Sequence, residues 1–369
     1  MNGKLDPQTA FLKTAPLQYV NCTGILEKSG DYIRVWGKKA LICGGKRALE
    51  ASRKQLTHSL KSAGISWEEH IFTGECCDEN IECVVEKLKQ CKADVLIGAG
   101  GGKCLDTAKA AAGACNIPVV CIPTIAATCS ATTAQSVVYS KTGIFERVIF
   151  LSSNPQLALV DPDIIAGAPV QYLQAGILDS LAKWFEGRTV FKGIKTPDIY
   201  TSSAMCLSKL LYDEMKKKAV QAIESVKENR VSDPLIHVID LVVYLTGVIQ
   251  GMGHATLRGG VAHAVHNGLT LIEESHALLH GIKVGYGIMV QLVLEKVSQK
   301  ELREVLRFFR KLDFEPSLKG LNLVINRDDA LKIAEKAAGD PYVGKMPYPV
   351  EPEMILWAIE KLENVIDKL

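Results

Sequence analysis

The feature that most restricts the fold is an alternation of short apolar runs and helical patterns over roughly the first 165 residues. Lys39 to Cys43 reads as a strand ending at Gly44 and Gly45, and Ala48 to Ala63 as an amphipathic helix. Glu82 to Cys91 reads as a second helix and Asp94 to Ile97 as a strand that runs into glycines. Asp106 to Cys115 is again helical, and Ile117 to Ile122 is another strand. Strands separated by helices pair in parallel, because each return needs a crossover. The pattern changes after Asn154. Pro155, Pro162 and Pro169 each disfavour helix just before themselves. Beyond them helical periodicity dominates, over Tyr172 to Val190, Thr201 to Val226, Pro234 to Gly251 and Glu353 to Ile366. The sequence therefore predicts an α/β domain over 1–165, a proline-marked hinge and an all-helical domain over 166–369. The length of 369 residues agrees, since single cores seldom grow past about 250–300 residues. A cleft between two domains is a common ligand site.

Charge excludes some partners. A formal net charge of +2 with no long block of one sign gives no footprint for nucleic acid or an acidic membrane surface. The most apolar run, Leu235 to Ile249, is interrupted by His237 and Asp240. It is shorter than the roughly 20 residues of a membrane span and reads as a core helix. The opening MNGKLDPQTAFLKTAPLQYV lacks a basic stretch followed by an apolar one, so no secretion leader is expected. Eleven cysteines, an odd number without a C-x-x-C pair, indicate neither a disulfide framework nor a zinc ribbon. Free thiols fit a reducing cytoplasm.

Two places carry candidate chemistry. The run from Val95 to Lys109 holds Gly98, Gly100, Gly101, Gly102 and Lys103 between a strand and a helix. Glycines let backbone N–H groups approach a diphosphate closely. A following helix N-terminus adds unpaired donors and the positive end of its dipole. The spacing is neither G-x-G-x-x-G nor a P-loop, and a plain glycine-rich turn has the same look. The second place is a histidine block. Five of the eight histidines fall between positions 254 and 280. His263 and His266 are three apart and His276 and His280 four apart, so each pair shares a helix face if helical. Imidazole suits zinc, iron and nickel. A carboxylate would complete a site, and Asp179, read as opening a helix after Gly176, is a candidate. Spacing alone does not choose among the histidines, and each has a plain reading as an ordinary polar residue.

Together these segments resemble a known family. Gly-Gly-Gly-Lys followed by Leu105 to Lys109, Ile122 to Ala126, Asn154-Pro155 with Val160-Asp161, the Asp179 helix reaching Glu186, and the block from His263 to Gly281 are similar, in order and spacing, to the glycerol dehydrogenases of the iron-containing (group III) alcohol dehydrogenase superfamily. The resemblance runs from about Tyr19 to the C-terminus. It implies a dehydroquinate synthase-like fold: a Rossmann-like parallel sheet domain plus an all-α domain. It implies Asp179, His263 and His280 as ligands of one divalent metal, zinc in this branch, with iron or nickel as alternatives. The iron-dependent branch has a histidine one turn after the aspartate, where this chain has Lys183. The pyrophosphate loop falls on Gly100, Gly101, Gly102 and Lys103, with Asp106 in the same motif. Other contacts to NAD or NADP fall on Thr124, Thr128, Thr133, Gln135 and Tyr139.

Two departures refine the expectation. The family's ribose-binding aspartate is replaced by Gly45, followed by Lys46 and Arg47. A carboxylate there repels a 2′-phosphate and this set does not, so NADP is expected to be accepted and is a candidate for the preferred cofactor; ordinary surface charges are the plainer reading. The family's substrate-site aspartate is replaced by Cys129, after Thr128. That loss disfavours glycerol and admits a small 2-oxo or 2-hydroxy acid. The expected reaction is hydride transfer between a nicotinamide and the CH–OH or C=O group of a small alcohol, polyol or hydroxy/oxo acid, with His266 as candidate proton relay. A cytoplasmic homo-oligomer acting on a small molecule, without nucleic acid or membrane, is expected. The alternatives are a glycerol dehydrogenase proper, a dehydroquinate synthase-like lyase and a non-catalytic binding module.

Overall fold

The computed structural model describes residues 12–253, 256–257 and 259–366. The first eleven residues, on which the expectation of no leader partly rests, and His254 lie outside them. Among the described residues there are eight strands: β1 (Gln18–Asn21), β2 (Lys39–Gly45), β3 (Ser66–Phe72), β4 (Val95–Gly100), β5 (Val119–Pro123), β6 (Gln135–Tyr139), β7 (Phe145–Phe150) and β8 (Leu157–Val160). Six form one wholly parallel sheet in the order β1-β8-β5-β4-β2-β3, and β6 and β7 form a separate antiparallel hairpin. The crossovers run through α1 (Ser29–Ile33), α2 (Lys46–Ser62), α3 (Asp78–Cys91) and α4 (Gly102–Cys115).

The central strands are apolar on both faces because both are covered. Ala40, Ile42, Val95, Ile97, Val120 and Ile122 face Leu49, Leu56 and Leu60 of α2. The alternate residues Leu41, Cys43, Leu96 and Cys121 face Val84, Leu88, Leu105 and Ala108 of α3 and α4. That second core continues without a break into the helical half.

The helical half contains α5 (Pro162–Ala166), α6 (Val170–Lys192), α7 (Ile199–Lys227), α8 (Asp233–Ile239), α9 (Thr246–Met252), α10 (Val261–Leu269), α11 (His280–Leu294), α12 (Gln299–Lys311), α13 (Arg327–Ala338) and α14 (Pro352–Val365). Two expectations need correction. The proline-rich stretch is not simply a hinge: between Pro155 and Pro162 it contains β8, an inner strand of the sheet. Proline disfavours helix but not strand, and Leu157, Ala158, Leu159 and Val160 are fully buried. The second concerns only the length of the apolar run near residue 240, since its reading as a core helix agrees with the burial of its side chains. It lies within one helical stretch, Asp233–Met252, 20 residues long and apolar enough by length and composition to cross a bilayer. Here Leu235, Val238, Ile239, Val242, Val243 and Ile249 are buried in the protein core. A π-turn over Asp240–Leu245 joins α8 to α9. The carbonyl of Val243 in this turn accepts a hydrogen bond from the Thr132 hydroxyl of the sheet half at 2.6 Å. Beside this contact, Gly176 of α6 meets the sheet half, where a Cβ would lie 2.1 Å from the Ala126 carbonyl oxygen.

Candidate functional site

The site is built on a stripe of α6. Asp179, Lys183 and Glu186 stand at i, i+4 and i+7 and share one helix face. All three are buried. Asp179 does not open the helix as expected: α6 begins at Val170, because the glycine at 176 packs within it instead of ending a loop. His263 is the third residue of α10 and His280 the first of α11. Gly281 sets the last approach. A Cβ there would sit 1.8 Å from the Ala175 carbonyl oxygen, so only glycine lets the start of α11 come down onto α6 beside Asp179.

The three expected ligand residues converge. His280 Nε2 lies 3.1 Å from Asp179 Oδ1 and His263 Nε2 lies 3.3 Å from the same oxygen. The ligand atoms of all three lie within 4.8 Å of one another. Ligands about 2.0–2.1 Å from a tetrahedral ion are separated by about 3.3 Å, so the two separations from Asp179 fit a small divalent cation.

The neighbours set the tautomers. Glu186 Oε2 is 2.7 Å from His263 Nδ1, and a carboxylate can only accept, so Nδ1 carries a proton and Nε2 is the atom available to a cation. Glu186 Oε1 accepts from the backbone N–H groups of Gly260 and His263. On the other side a longer chain does the same. Asn267 donates Nδ2–H to Asp340 Oδ2 at 2.8 Å, which turns its Oδ1 towards His266 Nδ1 at 2.9 Å. His266 therefore donates through Nδ1 and accepts through Nε2, and the group it accepts from is His280 Nδ1 at 2.9 Å. His280 Nε2 is thereby left bare and aimed at the site. Buried, hydrogen-bonded partners of this kind orient metal-binding histidines.

The electrostatics agree. Burial opposes charge on Asp179, but His280 and His263 outweigh it and hold its carboxyl well below the usual range. Burial likewise opposes charge on Glu186, and His263 outweighs it. Burial would lower His263, but Glu186 and Asp179 raise it to about 9, so without a cation the ring also holds a proton on Nε2 towards Asp179, which a bound cation would displace. Burial, reinforced by His280, keeps His266 neutral by lowering it well below its ordinary value.

Two histidine expectations change. His266 is buried behind His280 and does not line the cleft, so it does not meet a substrate as a proton relay. Its packing makes it a support for His280. His276 does not share a helix face with His280: it lies in a short 3-10 turn, Glu273–Ala277, and its Nε2 is 2.8 Å from the Thr270 carbonyl oxygen.

Opposite the ligand set lies the edge where the sheet order reverses, between β2 and β4, the usual ligand crevice of such sheets. Gly45 ends β2 there and the glycine loop ends β4 there. One cleft of about 440 Å³ is lined by Gly45, Gly100, Gly101, Gly102, Lys103, Asp106, Thr128, Cys129, Thr133, Gln135 and Tyr139 on one side and by Asp179, His263 and His280 on the other. Helix α4 starts at Gly102, four residues earlier than its pattern suggests, so its N-terminus opens at the glycines. Two residues expected as cofactor contacts do not line the cleft. Thr124 is buried and its N–H is used by the Gly100 carbonyl at 3.1 Å. Lys46 is exposed as the first residue of α2. Asp106 lines the cleft, but both its oxygens are engaged: Oδ1 by Ser130 and Lys109, Oδ2 by the Val137 N–H. It braces the wall formed by residues 128–139. Lys103, which lines the cleft, pairs with Glu75.

The sequence reading missed Lys183, Gln250, Asn267 and Tyr342, which also line the cleft, and the supporting roles of Glu186 and Asp340. The i, i+4, i+7 stripe of polar residues on an apolar helix could have signalled Lys183 and Glu186. Nothing local marks Asp340.

Comparison with known proteins agrees with this geometry. A family model described as iron-containing alcohol dehydrogenase matches residues 16–162. Glycerol dehydrogenase of Pseudomonas putida is 33% identical over 350 residues, covering 94% of this chain and 95% of that protein. Hydroxycarboxylate dehydrogenase A of Escherichia coli (strain K12) is 32% identical, covering 87% and 88%. The crystal structure of glycerol dehydrogenase from Schizosaccharomyces pombe superposes with a TM-score of 0.90 at 27% identity, covering 99% of this chain and 93% of that one.

Proposed function

Because this chain belongs to the iron-containing alcohol dehydrogenase family, and is a metal- and nicotinamide-dependent oxidoreductase, we propose that it interconverts small 2-oxo and 2-hydroxy acids, with zinc at Asp179, His263 and His280 and with NADP as a preferred cofactor. The observation that carries the reading is the convergence of these three ligands across one cleft from the α4 N-terminus.

When bound, the cation would supply Lewis acidity towards the substrate oxygen and the nicotinamide the hydride chemistry at the adjoining carbon, with one proton lost from or gained by that oxygen. Glu186 and His266 hold the two imidazoles in the tautomer that can ligate. The N–H groups of Gly101, Gly102 and Lys103 offer donors to a diphosphate, and Lys103 can leave Glu75 to add its charge. Thr128, Thr133, Gln135 and Tyr139 wall the cofactor side, with Asp106 fixing that wall.

Zinc is supported by a set of two imidazoles and one carboxylate, without a third histidine on α6 as a fourth ligand. NADP is supported by the start of α2. Lys46 and Arg47 oppose the helix dipole there, no acidic residue stands in the first turn, and no side chain caps it. An anion beside Gly45 would meet two cations and unpaired N–H groups. The acid substrate is supported by Cys129, which lines the cleft in place of a carboxylate and is kept a neutral thiol by burial, at about 12. All eleven cysteines stand as free thiols, which supports a reducing, cytoplasmic setting.

The test is a panel of 2-oxo acids, aldehydes, ketones and polyols with NADH, NADPH, NAD and NADP, followed by nicotinamide absorbance, with metal content measured by mass spectrometry. Zinc-dependent reduction of 2-oxo acids, faster with NADPH, is expected. Glycerol turnover equal to or better than that of any 2-oxo acid removes the acid reading. A strong preference for NADH removes the NADP reading.

A further inference from the structure

We propose that Tyr342 is the wall of the substrate site that sets how long a chain the reacting carbon can carry; this rests on the oxidoreductase reading above. Tyr342 lines the cleft, and its ring stands edge-on to the His263 imidazole, with centroids 6.2 Å apart and an angle of 74° between the planes. The other aromatic rings of the cleft lie elsewhere. Phe72, Tyr139 and Phe145 belong to the sheet half. Tyr172 precedes Asp179 by seven residues on α6, about 10 Å along the helix axis. Among the described residues, Tyr342 is the one of these rings that packs against an imidazole of the ligand set.

Two contacts seat the ring. The Tyr342 backbone N–H donates to Asp340 Oδ1 at 2.9 Å, while Oδ2 of the same carboxylate accepts from Asn267. One buried aspartate therefore fixes both this wall and the chain of groups that aims His280. The second contact is with Gly259, where a Cβ would lie 3.0 Å from Cγ and Cδ2 of the ring. Backbone packed that closely leaves the ring little room to withdraw. The cleft holds about 440 Å³ and has to seat the nicotinamide end of the cofactor as well as the substrate. A substrate whose reacting oxygen reaches Asp179, His263 and His280 brings its remaining carbons up to the groups beside those ligands. Beside His263 that group is a seated aromatic ring, which offers an apolar surface to a short chain and an obstacle to a longer one. The substrates that fit are short unbranched carbonyl compounds and their alcohols, small 2-oxo acids among them.

The experiment compares wild type with Tyr342→Ala, Tyr342→Trp and Tyr342→Phe, each checked for native melting and for cation affinity by chelator competition. Two unbranched series, pyruvate to 2-oxohexanoate and acetaldehyde to hexanal, are reduced with NADH and NADPH. Tyr342→Ala is expected to raise kcat/KM for the longest member relative to the shortest roughly 10- to 200-fold, the range of size discrimination in an apolar pocket. Tyr342→Trp shifts the ratio the other way, and Tyr342→Phe leaves it nearly unchanged, because the ring and not its hydroxyl forms the obstacle. Acetohydroxamate and hexanohydroxamate, titrated calorimetrically into the zinc-loaded protein, read the same preference without turnover. Equal losses along both series in Tyr342→Ala, or a hydroxamate preference equal to that of wild type, overturn the proposal while leaving the oxidoreductase reading intact. Absence of turnover on every substrate defeats that reading instead, and the hydroxamate titration still decides the role of Tyr342.

Discussion

At His280 the atom that is free to ligate is chosen by residues that never touch a cation. His266 accepts from its Nδ1, Asn267 orients His266, and Asp340 orients Asn267. Replacing His266 by Ala is expected to lower cation affinity about 10- to 100-fold, as supporting partners of metal-binding histidines do. At saturating metal kcat should largely recover. A chelator competition assay with turnover measured alongside checks this, and a kcat that stays low at full occupancy would restore His266 as a proton relay. Histidine crowding marked the stretch, but spacing did not choose among its members, and the set Asp179, His263 and His280 was legible only through the family resemblance. The role of His266 was not, because three-residue spacing from His263 puts it on a shared face, and only the approach of α11 shows that it meets His280 instead. Asp340 had no local signature at all: it reaches the site through the packing of the segment after α13, a contact 73 residues away in sequence from Asn267.

Helix starts decide the next level. Helix α11 can begin beside α6 only because residue 281 has no side chain. Gly281→Ala is expected to push His280 off Asp179, weaken cation binding by at least tenfold and destabilise the fold by about 1–3 kcal/mol, the usual cost of overpacking. Calorimetric metal titration and denaturant unfolding of the metal-free protein read these separately. Unchanged values in both would show that α6 and α11 yield easily. At α2 the double variant Lys46→Ala/Arg47→Ala should raise the KM for NADPH about tenfold and leave that for NADH within about twofold, a range set by the value of charges at a helix N-terminus. A parallel rise for both cofactors would reduce these residues to surface charges. The long helices and the inner strands were readable from periodicity, since burial on one face or both leaves a pattern. β8 was obscured by its flanking prolines, which signalled a break in helix but not the strand between them. α10 and α11 were read only as a histidine block: α10 is only nine residues long, and α11 is buried on nearly all sides and leaves little amphipathic signal.

The whole molecule holds its site between two halves that share one continuous apolar core. Removing the cation is therefore expected to loosen the ligand set without unfolding the sheet. At a cation concentration about 100 times its Kd the bound form gains about 2.7 kcal/mol, so chelation should lower the melting temperature by several degrees with the far-ultraviolet circular dichroism unchanged. A melting temperature indifferent to chelator would mean that the three residues hold no ion. The chain order of the supporting contacts adds a temporal consequence. Asp179 is synthesised early, His263 and His280 follow, and Asp340, which sets the direction of the last imidazole, comes near the end. A nascent chain still on the ribosome before residue 340 emerges has the ligands but not their aim. Well-aimed loading of the ion is therefore expected only once the polypeptide is complete, on a chain whose apolar core is already formed.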